Sequence, residues 1–86
     1  MDVLRVSSRS IPNNVAGAIA SIIRDCESME IQAVGAGATN QAIKSIAVAR
    51  NYLAPVGIDL VCIPEFSSVV INDTERTAMR LICVRR

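Results

Sequence analysis

The spacing of apolar positions along the chain switches several times between the period of a strand and that of a helix. Val3-Leu4-Arg5-Val6-Ser7 alternates briefly and predicts a short strand with Leu4 and Val6 on one face. Ser8-Arg9-Ser10-Ile11-Pro12 breaks that pattern. Pro12 followed by Asn13 and Asn14 predicts a helix entry, because Asn side chains accept from the free N–H groups of a first turn. Val15, Ile19, Ile22, Ile23 and Cys26 then recur at helical spacing, with Asn14, Gly17, Ser21, Arg24 and Ser28 on the other side. The helix is expected to end near Glu27-Ser28.

Met29 to Val34 is β-branched and only lightly alternating, as in a strand covered on both faces. Gly35-Ala36-Gly37-Ala38 predicts a sharp turn, with Thr39 or Asn40 capping a second helix that runs to about Leu53. Ala42, Ile43, Ile46, Ala47, Ala49 and Leu53 make its apolar stripe, and Ala54-Pro55-Val56-Gly57 stops it. Ile58 to Ile63 predicts a third strand that ends or kinks at Pro64, with Ser67 to Ile71 as its extension. Asn72-Asp73-Thr74 is a turn, and Glu75 to Arg85 is the last strand. The order is β-α-β-α-β-β, an α+β fold with two helices on one face of a four-stranded mixed sheet.

Length bounds this fold to one domain over residues 1–86. Apolar types supply 51% of the residues and charged types 20%, which argues against intrinsic disorder. No stretch approaches the roughly 18 uninterrupted apolar residues of a membrane helix, and Met1 to Arg5 lacks a signal-peptide layout. A soluble, cytoplasmic protein is expected. The chain has no histidine, which excludes a Ser-His-Asp triad, a Cys-His dyad and His-ligated metal. Without a nucleophile–base pair, no catalysis and no cofactor are expected.

Cys26, Cys62 and Cys83 are odd in number and too far apart for a Cys-x-x-Cys knuckle. They are expected to act as small apolar fillers, Cys26 on the buried side of the first helix and the others in strands. A redox role would need an exposed thiol of low pKa, of which the sequence gives no sign, so none is expected. A net charge of +1 is far from the basic excess of a protein that coats nucleic acid by charge alone.

Two places carry candidate chemistry. Gly35 and Gly37 follow a strand and open a helix, as in a phosphate-binding turn, where free N–H groups face an anion. A tight turn that merely needs small residues is the favoured explanation, since neither a dinucleotide fingerprint nor a P-loop is complete. The loop before the first helix emerges at the same end of the sheet. Arg9, Ser10, Asn13, Asn14, Asn40, Gln41 and Lys44 then form one polar patch suited to phosphate oxygens. The plainer reading makes Asn13 and Asn40 helix caps and Arg9 a solvated charge.

Twenty-one Ile and Val residues are more β-branched material than a small monomer readily hides. Gln41, Ser45, Val48 and Tyr52 form a second stripe on the second helix. A homodimer with Ser45, Val48 and Tyr52 at its interface is expected. Lone surface positions for Val48 and Tyr52 are the alternative.

Several consecutive segments carry a resemblance. They are Val15-Ala16-Gly17-Ala18-Ile19-Ala20, Glu30 to Ala38, Asn40-Gln41-Ala42-Ile43-Lys44 and Ala47-Val48-Ala49-Arg50. Ala54-Pro55, Asp59 to Pro64 and Glu75-Arg76-Thr77-Ala78 add to them. From near Val3 to Arg85 the chain resembles the stage V sporulation protein S family, tied to the coat-assembly stage of sporulation. That family's fold is similar to the Alba chromatin proteins, small dimers that bind DNA and RNA.

The resemblance implies a regulatory homodimer that binds DNA or RNA weakly, with a sporulation protein as a further partner and no membrane. In Alba proteins basic residues lie before both helices and in the last hairpin. Here Arg9 remains in the first loop and Lys44 on the second helix, whereas the Gly35–Ala38 turn lacks arginine. The hairpin from Phe66 to Glu75 has no base and carries Asp73 and Glu75. A protein–protein adaptor using Val69, Val70 and Ile71 is the alternative, and an anion- or nucleotide-sensing module at Gly35–Asn40 ranks behind it.

Overall fold

The computed structural model describes every residue from Met1 to Arg86. Its elements are β1 (Val3–Val6), α1 (Pro12–Asp25), β2 (Ser28–Ala33), α2 (Ala36–Leu53), a short 3-10 turn (Ala54–Val56), β3 (Leu60–Ile71) and β4 (Thr74–Arg85). The strands form one sheet in the order β1-β2-β4-β3, with β1 parallel to β2 and the other pairs antiparallel. The expected β-α-β-α-β-β order and mixed sheet are what the chain adopts.

Both helices pack on one face of the sheet. Ala16, Ile19, Ala20 and Ile23 of α1 and Ala38, Ala42, Ile46, Ala49 and Leu53 of α2 share one core with Met29, Ile31, Leu60, Leu81 and Cys83. Alanines recur on the contacting sides, and small side chains let two helices approach closely. Ile43 and Ala47, expected in the α2 stripe, are exposed instead.

The helix starts depart from the expected caps. Ile11 is the N-cap of α1 and makes no side-chain cap bond, with Pro12 at the first helical position. Asn13 and Asn14 therefore lie exposed inside the first turn. α2 begins at Ala36, because Gly35 takes a backbone conformation (φ 88°, ψ 165°) that side chains resist. Thr39 sits inside the first turn and donates its hydroxyl to the Gly35 carbonyl at 2.9 Å, so neither Thr39 nor Asn40 is a cap. Cys26 is the C-cap of α1 and exposed, not on its buried side.

β3 runs unbroken through Pro64, against the expectation of a break there. The reason lies in hydrogen-bond parity. β3 and β4 are joined by the two-residue turn Asn72-Asp73, both at positive φ (50° and 62°), which makes Ile71 and Thr74 a hydrogen-bonded pair. Such pairs alternate with non-bonded ones along an antiparallel ladder. Counting back, Pro64 and Leu81 are a non-bonded pair, so a backbone N–H at 64 would point away from β4. Proline forfeits nothing there. The same count makes Asp59 and Arg86 a bonded position, and Arg86 N–H does donate to Asp59 O at 2.8 Å.

Opposite the helices, the other sheet face carries a chain of charges. Arg80 Nε donates to Glu30 Oε1 at 2.6 Å and its Nη1 to Glu65 at 3.3 Å, while Gln32 Nε2 donates to Glu30 at 2.9 Å. Glu30 is only 6% exposed. The Gln32 amide, followed by Arg80, holds its carboxyl below the usual glutamate range against the opposing effect of burial. Glu30 in turn raises the already high Arg80 value.

Candidate nucleic-acid interface

The β1–α1 loop, the start of α2 and the tip of the β3–β4 hairpin lie at the same end of the molecule. β1 and β2 are parallel and both end there, and β4 begins there because it runs antiparallel to β2. β2 pairs with β4 only as far as Ala33 and Met79, so beyond Phe66 and Met79 the hairpin stands free as an arm. A cleft of about 480 Å³ separates this arm from the loop, lined by Arg5, Ser7, Ser8 and Gln32 on one side and Val69 to Ile71 on the other.

The loop is held in a defined shape. Ser7 N–H donates to Ser10 Oγ at 2.9 Å, and Arg9 N–H to Ser7 Oγ at 3.2 Å. Gln41 Nε2 donates to the Ser10 carbonyl at 2.9 Å, tying the loop to α2. A Cβ at Gly37 would lie 3.0 Å from Ser8 Cβ. Gly37 thus makes room for the chain's own loop, while Gly35 makes the backbone turn. This favours the tight-turn explanation of these glycines over a phosphate cradle.

Of the residues expected in the patch, Ser10 and Gln41 are joined directly. Arg9, Asn13, Asn14, Asn40 and Lys44 are exposed around them. Gly37, Gln41 and Lys44 follow one another at helical spacing, so Lys44 continues the side of α2 that meets the loop. Neither Arg9 nor Lys44 has an ion-pair partner; the paired cations are Arg50, Arg80 and Arg86.

Two further unpaired cations border the same end. Arg5 lines the cleft. Arg76, paired across the strands with Val69, lies on the arm one residue beyond the base-free Phe66–Glu75 segment. Alternation in β1 pointed to Arg5 facing away from Leu4 and Val6, but only the length of the arm puts Arg76 on it.

The expected interface residues fall into different environments. Ser45 is fully buried within the chain and its hydroxyl donates to the Gln41 carbonyl at 2.7 Å, so it has no surface to offer a partner. Val48 is half-buried against the core, and Tyr52 is 42% exposed. Phe66, the other aromatic, is 82% exposed on the arm.

No helix is long and apolar enough to cross a membrane, and no cluster of three or more His, Cys, Asp or Glu side chains suits a metal ion. Among solved structures the chain is similar to Alba from Thermoplasma volcanium, with a TM-score of 0.68 over 98% of this chain and 100% of that one. At 11% identity this likeness is one of fold. The family model described as Stage V sporulation protein S matches residues 2–86, nearly the whole chain. With the Alba-like fold and the segments around Glu30–Ala38 and Asn40–Lys44 in agreement, the chain belongs to the stage V sporulation protein S family.

Proposed function

We propose that this sporulation-family protein is a non-catalytic, cytoplasmic regulator that binds nucleic acid as a homodimer. The observation that carries the reading is the clamp between the Ser7–Ser10 loop and α2. It holds unpaired Arg9 beside the helix side that bears unpaired Lys44. Phosphate contacts of this kind position a backbone without reading bases. Asn13, Asn14 and Asn40 supply amide donors and acceptors around the two charges. Val48 and Tyr52, which flank the buried side of α2 and keep part of their surface, are the proposed dimer contacts.

Charge alone gives modest affinity. A dimer presents Arg9 and Lys44 twice, and each neutralised phosphate contributes roughly 0.9 to the salt slope. Fluorescence anisotropy with labelled duplex DNA and single-stranded RNA, titrated over salt, should give a log–log slope of about −2 to −4. Arg9→Glu with Lys44→Glu should abolish binding with circular dichroism unchanged. Retained binding overturns the site.

A second reading, a protein–protein adaptor, rests on the arm. Phe66 and Val70 are 82% and 73% exposed there, beside Asp73 and Glu75. Absence of nucleic-acid binding at low salt, with nuclease-resistant capture of a sporulation protein, would favour it.

A further inference from the structure

The geometry points to a modification site distinct from the proposed nucleic-acid surface: Cys62 and Cys83 are a dithiol pair that peroxide closes to an intrachain disulfide. The two are direct partners across β3 and β4. By the parity that places Pro64 opposite Leu81, the Cys62–Cys83 pair is also non-hydrogen-bonded. Cα atoms in such pairs lie about 4.5 Å apart, at the short end of the roughly 4.4–6.8 Å that a disulfide spans. The side chains project to the same face of the sheet, toward the helices.

Their environments divide the roles. Cys62, on the edge strand, is half-buried and reachable from solvent, whereas Cys83 is fully buried between Cys62 and Met29 on the neighbouring strands. The neighbouring Cys83 thiol holds the Cys62 thiol below its ordinary value, against burial. The proximity of Cys62, with burial, pushes Cys83 up. Cys62, the one peroxide can reach, is therefore the attacking thiolate and the enclosed Cys83 the resolving thiol.

In the first step the Cys62 thiolate attacks one oxygen of hydrogen peroxide. The O–O bond breaks, hydroxide leaves and takes a proton to become water, and Cys62 carries a sulfenic acid. Cys83 sulfur then attacks Cys62 sulfur, the S–O bond breaks, and the departing hydroxide takes the Cys83 proton. The two thiols lose two electrons, and peroxide is reduced to two waters. Thiol–disulfide exchange with an external dithiol reverses the change.

The test treats the folded chain with stoichiometric hydrogen peroxide and counts thiols with Ellman's reagent under denaturing conditions. The count should fall from three to one. Intact mass should drop by two hydrogen atoms, peptide mapping should link Cys62 to Cys83, and dithiothreitol should restore all three thiols. Cys26→Ser should leave the linkage intact, and Cys62→Ala should prevent it. Oxygen addition without mass loss, or a link through Cys26 or between chains, overturns the proposal.

Discussion

Gly37 and Ser8 approach so closely that a Cβ on the glycine would lie 3.0 Å from the serine Cβ. Gly37 is inside α2, where alanine is intrinsically preferred by about 1 kcal/mol. Helix propensity and loop position therefore pull in opposite directions. Gly37→Val should displace the Ser7–Ser10 loop while the helix survives. Nucleic-acid affinity should fall severalfold with the circular dichroism spectrum unchanged. Unaltered affinity would show that the loop's position does not matter for binding.

The other half of the clamp is the bond from Gln41 to the Ser10 carbonyl. Gln41→Ala removes one partly buried hydrogen bond and should cost about 1 kcal/mol of stability, read from the denaturation midpoint. Amide hydrogen exchange around Arg9 and Ser10 should accelerate, while the α2 core amides stay protected.

Acid should weaken the fold through Glu30. Its carboxyl has a folded-state pKa below the ordinary 4.5. The stability it contributes is present above that ordinary value and is lost as pH falls toward the lowered one. Unfolding measured at falling pH should show a loss of stability that begins near pH 4.5. Glu30→Gln should flatten that limb and lower stability at neutral pH. An unchanged acid profile would remove Glu30 as its source.

The arm's turn can be improved. Asp73 sits at φ 62°, where an L-residue is strained and the preferred second residue of this turn is glycine. Asp73→Gly should stabilise the chain by about 1 kcal/mol. Asn72→Pro should do the reverse, because proline cannot reach the φ of 50° found there.

If Tyr52 joins two subunits, Tyr52→Asp should weaken self-association by at least roughly tenfold, about 1.4 kcal/mol. Sedimentation velocity checks this. Ser45→Ala should leave association unchanged, because that side chain is enclosed within the chain.

Much of the architecture was legible in the sequence, because the spacing of Val15, Ile19 and Ile23 and the glycine and proline breaks locate the helices independently of tertiary detail. The start of α2 was not, since Gly35 turns the chain with its backbone and no side chain announces the cap. Pro64 and the cysteine pair were opaque for a shared reason. Their meaning depends on ladder parity, which is set by a turn at Asn72-Asp73 and by register rather than by neighbouring residues. In the candidate site, Arg9, Gln41 and Lys44 were recognisable as polar groups near helix starts. The burial of Ser45 was not, because that one position of its stripe is enclosed by the rest of the chain while Tyr52 stays exposed.

The outward direction of position 64 matters for more than pairing with β4. β3 is an edge strand, and its outer rim offers free peptide groups that another extended chain could match. Arg50 occupies part of this rim by donating to the Leu60 carbonyl. Pro64 removes a donor further along, and its ring obstructs a strand laid alongside. The proline that leaves the internal ladder intact therefore interrupts the external one. The long edge strand β3, with Val61, Ile63, Val69, Val70 and Ile71, is thereby protected against continuous sheet extension into fibrils.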